Sequence, residues 1–419
     1  MSARVGVLSF GGPAGQIALM HREFVEERRW IEDGAFLRAL NLCHLLPGPE
    51  AQQLATWIGW RLHGVRGGLT AGLLFVIPGA LVMLGLSLVY VFAAGLGWFA
   101  GLFLGIKAAV LAIVAQALVR VAARALRTRL NLALAGAAFL ALALAGAPFP
   151  LVIAVAALIG AIVSRARPDW LGAHGPPTGG GDGRSGRKLV RATLATVVTW
   201  GAIWVAPMLL VGATVGTGHV LWDVGVFFSK LAVVTFGGAY AVLGYMAQEA
   251  AGPLGWLSPR EIVDGLGLAE TTPGPLIMVT QFVGFLAGWR EAAPLTPLGG
   301  ALAAAALTTW VTFAPCFLWI FACAPWMDRI ERSPALQAAL AAITAAVVGV
   351  IANLALWFGW HVLFPAFDTS VPGWQFDWRA GFIAAVAAAM IFAWKRGIVT
   401  TLAVCAALGL ALVLAFPGA

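Results

Sequence analysis

The sequence predicts an all-α polytopic membrane protein: two inverted homologous repeats, helices broken at Pro-Gly-Pro, and about 13 transmembrane segments. Three observations predict it. The chain of 419 residues is 61% hydrophobic and 11% charged, with a mean hydropathy of +0.91, far more apolar than a soluble domain. Apolar runs near the ~20 residues needed to cross a bilayer recur from end to end. Finally, the break Pro47-Gly48-Pro49 returns as Pro273-Gly274-Pro275, 226 residues later and in matching surroundings.

Composition narrows the function as well. The net charge of +8 fits cytoplasmic loops under the positive-inside rule, not nucleic-acid binding, because basic and aromatic residues interleave on no soluble segment. No cleavable signal peptide is read, since Gly11-Gly12-Pro13 breaks the first apolar run at once and no small-residue cleavage site follows. Cys43, Cys316, Cys323 and Cys405 lie in apolar stretches without Cys-x-x-Cys or His spacing, which reads as small core residues rather than metal ligands or disulfides. No cofactor and no metal is expected.

In chain order, a first segment runs from Met1 to about Met20, followed by the charged run His21 to Asp33 and a broken helix from Gly34 to about Trp60. Apolar spans follow near 67–93, 97–119, 131–146 and 149–164. Pro, Gly, Ser and basic residues then dominate 165–191, which marks a cytoplasmic linker. Its Gly181-Asp-Gly-Arg-Ser-Gly186 run lacks the Gly-Lys-Ser/Thr ending of a phosphate loop. A lone span covers 190–213. The domains are therefore 1–164, a linker with its connecting span at 165–221, and 222–419.

The duplication carries the fold. At the offset of 226, Val7, Phe10, Gly11, Gly12, Glu23, Trp30, Pro47, Gly48 and Pro49 meet identical residues, among them Gly237, Gly238, Glu249 and Trp256. Farther on the offset becomes 237 and pairs Pro78 with Pro315, Ile106 with Ile343 and Gln116 with Asn353. An internal repeat is the consequence. With each broken helix counted as one crossing and the N-terminus inside, the outer segments hold Arg22, Arg28, Arg29, Arg290 and Arg379. Arg38, Lys107 and Lys230 lie in spans, and the rest of the 26 cations fall inside, Arg260 among them. The lone span makes the count odd, so the copies are expected antiparallel; if the first two segments re-enter instead of crossing, the span count falls. Residue 1 aligns inside the second copy's first span, which reads as a shortened or misassigned start.

Two prolines remove two backbone donors and a glycine relaxes the dihedrals, so each Pro-Gly-Pro stops one helix and starts another. Pro49 suits the first turn of the new helix, whose leading N–H groups lack intrahelical acceptors and carry roughly half a positive charge. Two such N-termini around a shared cavity favour an anion. Gly11-Gly12 and Gly237-Gly238 either add bare amides there or let helices pack closely. Lys107 lies ten residues into an apolar span, where a cation costs ~2.5–3.5 kcal/mol, so it is expected to face an acid or an anionic ligand and to balance the charge of a dianion held between the two breaks. Its repeat partner is Thr344. Arg4 and Lys230 precede the two Gly-Gly breaks, as Ser9 and Thr235 do; both cations either serve the site or snorkel to the interface. Arg38, Asn41 and His44 share one face of the first half-helix, with His44 either a proton carrier or a packing residue. Glu50 and Glu270 flank the breaks as candidates for proton coupling, and Gln52, Gln116 and Asn353 are candidate cavity-lining groups.

Ser9-Phe-Gly-Gly-Pro13, His21-Arg-Glu-Phe-Val-Glu-Glu-Arg-Arg-Trp30, Leu46-Pro-Gly-Pro-Glu50 and Phe75-Val-Ile-Pro78 resemble the first half of the chromate ion transporter family in its long two-domain form. Thr235-Phe-Gly-Gly238 and Thr272-Pro-Gly-Pro275 resemble its second half. The resemblance spans about residues 4 to 416. It implies a bacterial inner-membrane carrier that exports chromate and confers resistance, with sulfate as a related tetrahedral dianion. The departures are the short N-terminus and Ala239 where the first copy has Pro13. The expected partners are a small inorganic oxyanion and the lipid bilayer, with no nucleic acid and a homodimer as one compatible assembly. A carrier for sulfate or another oxyanion is the alternative. An intramembrane enzyme would need an acidic metal cluster, His-Glu-x-x-His or a Ser/His pair, and none is present.

Overall fold

The computed structural model describes residues 12–93, 95–166, 186–236, 239–331, 333–364 and 376–416. Every regular element among them is helical. The first repeat holds α1 (Gly12–His21), a π turn (Arg22–Glu27), α2 (Asp33–Leu45), α3 (Glu50–Ala93), α4 (Gly97–Ala125), α5 (Arg129–Ala143) and α6 (Phe149–Ala166). The connecting helix α7 (Gly186–Thr214) leads to α8 (Val220–Val234), α9 (Ala239–Ala251) and α10 (Pro259–Thr271). A 3₁₀ turn (Leu276–Met278) precedes α11 (Val279–Arg290), α12 (Pro297–Cys323), α13 (Met327–Glu331), α14 (Pro334–Leu363), α15 (Trp378–Ala388) and α16 (Ile398–Ala415).

Six helices among the described residues are long and apolar enough to cross a membrane, beginning at Glu50, Gly97, Arg187, Pro297, Pro334 and Ile398. Their outer faces expose large apolar side chains such as Leu81, Phe92, Leu209, Leu210 and Leu414. A water-facing surface would not tolerate so many, whereas lipid does. Helices inside the bundle approach through small residues, since lipid supplies no hydrophobic drive between them. Where α4 crosses α16, a Cβ on Gly105 would lie 2.0 Å from the Cys405 carbonyl, and one on Gly409 2.4 Å from the Gly101 carbonyl.

The longest helix is two. His63 (φ −138°, ψ 25°) and Gly64 (φ 62°, ψ −156°) leave helical geometry within α3. The segments 50–62 and 65–93 then run back to back: a Cβ on either Gly59 or Gly67 would meet the other's carbonyl oxygen at 2.3 Å. The second repeat has the same device, with Gly288 and Gly300 in mutual contact across α11 and α12.

The broken helices correct the expected topology. In the second repeat, Arg290 at the end of α11 bonds Glu261 at the start of α10 and the carbonyl of Trp256. Farther in, Gly265 packs on the ring of Phe282. The two half-helices are therefore the arms of a hairpin with Pro273-Gly274-Pro275 at its tip, and both ends emerge at one end of the bundle. At ~1.5 Å per residue, a half-helix of 13 residues is too short for a ~30 Å hydrocarbon core. The pair α8 and α9 folds the same way: the ring of Phe227 lies tilted against Tyr245 of α9 at 5.8 Å, and that of Phe228 against Trp256, just beyond α9, at 6.2 Å. Counting the second break as a single crossing, and so placing Arg260 and Arg290 on opposite faces, does not fit the bond between Arg290 and Glu261. Hydropathy registers an apolar arm without its direction of return.

Candidate functional site

The candidate sites lie at the two Pro-Gly-Pro breaks. In the first break α2 ends at Leu45, Pro47 to Pro49 are buried, and α3 restarts at Glu50, so Pro49 lies just outside the new helix. The second break restarts through the 3₁₀ turn before α11. Gly48 (φ 118°) and Gly274 (φ 104°) both occupy backbone conformations that side chains disfavour, which accounts for the glycine at each tip.

Each tip docks on the other repeat. The Gly48 amide donates to the Thr235 carbonyl at 2.8 Å, and the Gln16 side-chain amide donates to the Gly274 carbonyl at 2.6 Å. A Cβ on Gly48 would meet Cys316 Sγ at 2.8 Å, while one on Gly79 would meet the Pro273 carbonyl at 2.8 Å. Gly79 and Cys316 follow the equivalent prolines Pro78 and Pro315, so the contacts are reciprocal. Around the tips polar groups are buried: Gln16, Gln52, Gln53 and Thr235 are each fully enclosed, and Glu50 and Glu270 nearly so. Gln53 donates to the Pro47 carbonyl at 2.7 Å, Gln52 to Thr56 Oγ1 at 3.1 Å, and Tyr240 to Glu270 at 2.7 Å. Among the described residues Gln52 Oε1, Gln53 Oε1 and Glu50 Oε2 have no hydrogen-bond partner. Such groups are costly unless something polar meets them.

The remaining candidates scatter. The Thr235 hydroxyl serves its own helix, donating to Leu231. A Cβ on Gly12 (φ 78°) would lie 4.0 Å from the Tyr240 hydroxyl. Arg38, Asn41 and His44 share an exposed face of α2, and Lys230 is exposed on α8. Gln116 accepts from Arg120 at 3.1 Å, and Asn353 is buried on α14. Arg4, Ser9, Gly11, Gly237 and Gly238 lie outside the described residues.

Lys107 faces an acid. Its Nζ lies 3.0 Å from Asp264 Oδ1, and Tyr90 donates to Asp264 Oδ2 at 2.7 Å. Both charged side chains are largely buried, at 13% and 7% exposed. They line a cavity of about 460 Å³ together with Tyr90, Arg260, Glu261 and Arg290. Neither Asp264 nor Tyr90 stood out in the sequence. A lone acid among Ile262, Val263, Leu266 and Leu268 was the available signal, and repeat symmetry hid it because Arg38 is its counterpart. Among the described residues no group of His, Cys, Asp and Glu is placed to hold a metal ion, and the four cysteines are unpaired.

The sequence model described as "Chromate transporter" matches residues 1–161 and again 222–410. The chain belongs to the chromate transporter family. Its relatives in that family include the chromate transport protein of Pseudomonas aeruginosa, 32% identical over 361 residues, covering 83% of this chain and 77% of the relative. The chromate transport protein of Cupriavidus metallidurans is 30% identical, over 83% and 78% of the two chains. A probable chromate transport protein of Synechococcus elongatus is 26% identical, over 90% and 88%. No solved structure matches the chain. The twofold match of one family model follows the duplication that places Gly48 and Gly274 at equivalent tips.

Proposed function

We propose that this protein is a carrier, not an enzyme, that exports chromate across the bacterial inner membrane and so confers resistance. The reading is supported by family membership over both halves together with the reciprocal docking of Gly48 on Thr235 and of Gln16 on Gly274. Two homologous units, about 1–164 and 222–419, are joined by a cytoplasmic linker and α7 at 165–221. If each unit carries two hairpins and four crossings, α7 inverts the second unit, and its tips meet those of the first near the midplane.

Charge favours the same orientation. In this topology the described cations at the end that carries Arg260 and Arg290 are those two and Arg379, whereas Arg22, Arg28, Arg29, Arg61, Arg66, Arg124, Arg127, Arg129, Lys395 and Arg396 lie at the other end. That end is cytoplasmic under the positive-inside rule, and the N-terminus lies with it.

The dianion is held between the tips, where leading amides of α3 and of the 3₁₀ turn before α11 supply partial positive charge. Rocking of one unit against the other exposes the site alternately. A negative interior drives a dianion outward at ~2.3 kcal/mol per charge per 100 mV, so export needs no coupling ion.

The test is uptake of radiolabelled chromate by everted vesicles under an imposed potential, with and without excess sulfate. Saturable, potential-driven uptake that resists sulfate is expected. Suppression by sulfate would make the protein a general oxyanion carrier, and absence of uptake would reject the reading.

A further inference from the structure

We propose that the cavity around Lys107 is a second, outer oxyanion site, latched when empty by Asp264, which a departing tetrahedral dianion displaces from the Lys107 ammonium. The inference rests on the export reading for the direction of travel, but the site stands on its own geometry.

The cavity of about 460 Å³ is far larger than the two side chains that meet in it, and three cations, Lys107, Arg260 and Arg290, line it against two acids, Asp264 and Glu261. One positive charge is left over. Glu261 is already bound to Arg290 and to its capping partner Ser258, while Arg260 is exposed and has no ion-pair partner among the described residues. Lys107 and Arg260 are the cations left to receive an anion.

Stability does not explain the buried pair. Two charges taken out of water recover little against apolar residues of the same size, and a lysine this deep in an apolar helix is costly. The contact has the form of a latch. Asp264 Oδ1 lies 3.0 Å from Lys107 Nζ, yet it has no aligned hydrogen-bond donor among the described residues. Its other oxygen is held by the Tyr90 hydroxyl at 2.7 Å. When Lys107 turns to a dianion, Asp264 therefore keeps a donor and is not stranded as a bare charge.

Position assigns the role. Asp264 is on α10, the arm that ends at the Pro273-Gly274-Pro275 tip, nine residues and so ~14 Å along the helix from Pro273. The cavity opens where Ser258, Arg260 and Arg290 are exposed, the end assigned above to the outside. The repeat does not reproduce it: Arg38 stands in register with Asp264 and Thr344 with Lys107. A site on one end alone suits release in one direction.

The experiment is equilibrium dialysis of radiolabelled chromate against the purified full-length protein, its Asp264→Asn, Lys107→Gln and Tyr90→Phe variants, and the exchange K107D/D264K, alongside vesicle flux. Removing the latch is expected to tighten binding by roughly tenfold in D264N, the lower range measured for close charge pairs, with slower release and a lower maximal flux. K107Q, which removes the receiving cation, is expected to bind more weakly than the parent. Y90F, which leaves Asp264 to Lys107 alone, is expected to weaken binding several-fold and serves if D264N fails to fold. The exchange variant is expected to melt like the parent without regaining its binding. Unchanged binding in D264N and Y90F, or full recovery in the exchange variant, overturns the outer site and leaves a structural ion pair. Absent parental flux with latch-dependent binding removes the export reading alone, whereas flux with latch-independent binding removes the outer site alone.

Discussion

The Gly48 amide of one repeat donates its hydrogen to the Thr235 carbonyl of the other at 2.8 Å. That carbonyl stands where α8 has stopped and before α9 begins, so it lacks the intrahelical partner it would have in an unbroken helix. The broken hairpins thus satisfy each other's backbone. Gln16 does the same for the Gly274 carbonyl from a fully buried position. Gln16→Leu leaves that carbonyl without its donor and is expected to cost about 1–3 kcal/mol. A thermal melt of the detergent-purified variant reads it, and a melt equal to the parent's would mean that the tips do not depend on this bond.

Gly48→Ala meets two obstacles. The φ of 118° disfavours a side chain, and the new Cβ would lie 2.8 Å from Cys316 Sγ and 2.9 Å from Gln53 Nε2. A loss of about 1–3 kcal/mol is expected from backbone strain with the contact added to it. Combining it with Cys316→Ala is expected to recover only the contact part. Full recovery in the double variant would show that the backbone conformation costs nothing.

The hairpin has a topological consequence that intact cells can read. Ser258 and Glu291 flank its two ends and are both exposed. In separate S258C and E291C variants, a membrane-impermeant thiol reagent is expected to label both from outside. Labelling of one from outside and the other only in everted vesicles would restore a single crossing.

His21 makes the first loop sensitive to pH. Its ring nitrogens lie 2.7 Å from Asp33 and 3.0 Å from Glu26. The hydrogen bond to Asp33 raises its pKa above the ordinary 6.5, slight burial opposes this, and Glu26 adds to the rise. A raised folded-state value means that the ring's contribution is complete below about 6.5 and is lost as pH climbs through the folded value. Protection of the His21 to Asp33 loop from protease is therefore expected to fall over that window. In H21Q it is expected to be independent of pH, and a parental pH response in that variant would assign the effect elsewhere.

Much of the candidate site was legible and some was not, for identifiable reasons. The tips were legible because a proline without an amide hydrogen and a glycine at positive φ act locally. Lys107 was legible as a cation in need of a partner, since its cost depends only on depth. Its partner was not: Asp264 is 157 positions away, and nothing in the repeat pairs it with Lys107. Gln16 carries no local signal, and only the folded hairpins bring it against Gly274.

By itself the sequence determined the helical class, the duplication, the two breaks and the family. Each follows from composition or from short-range stereochemistry repeated in register. Tertiary structure decided the rest: that α10 and α11 return to one end, that each tip docks on the other repeat, and that Asp264 meets Lys107. An apolar arm has the same hydropathy whether the chain passes on or turns back. Only the packing of Gly265 on Phe282 and the bond from Arg290 to Glu261 distinguish the two.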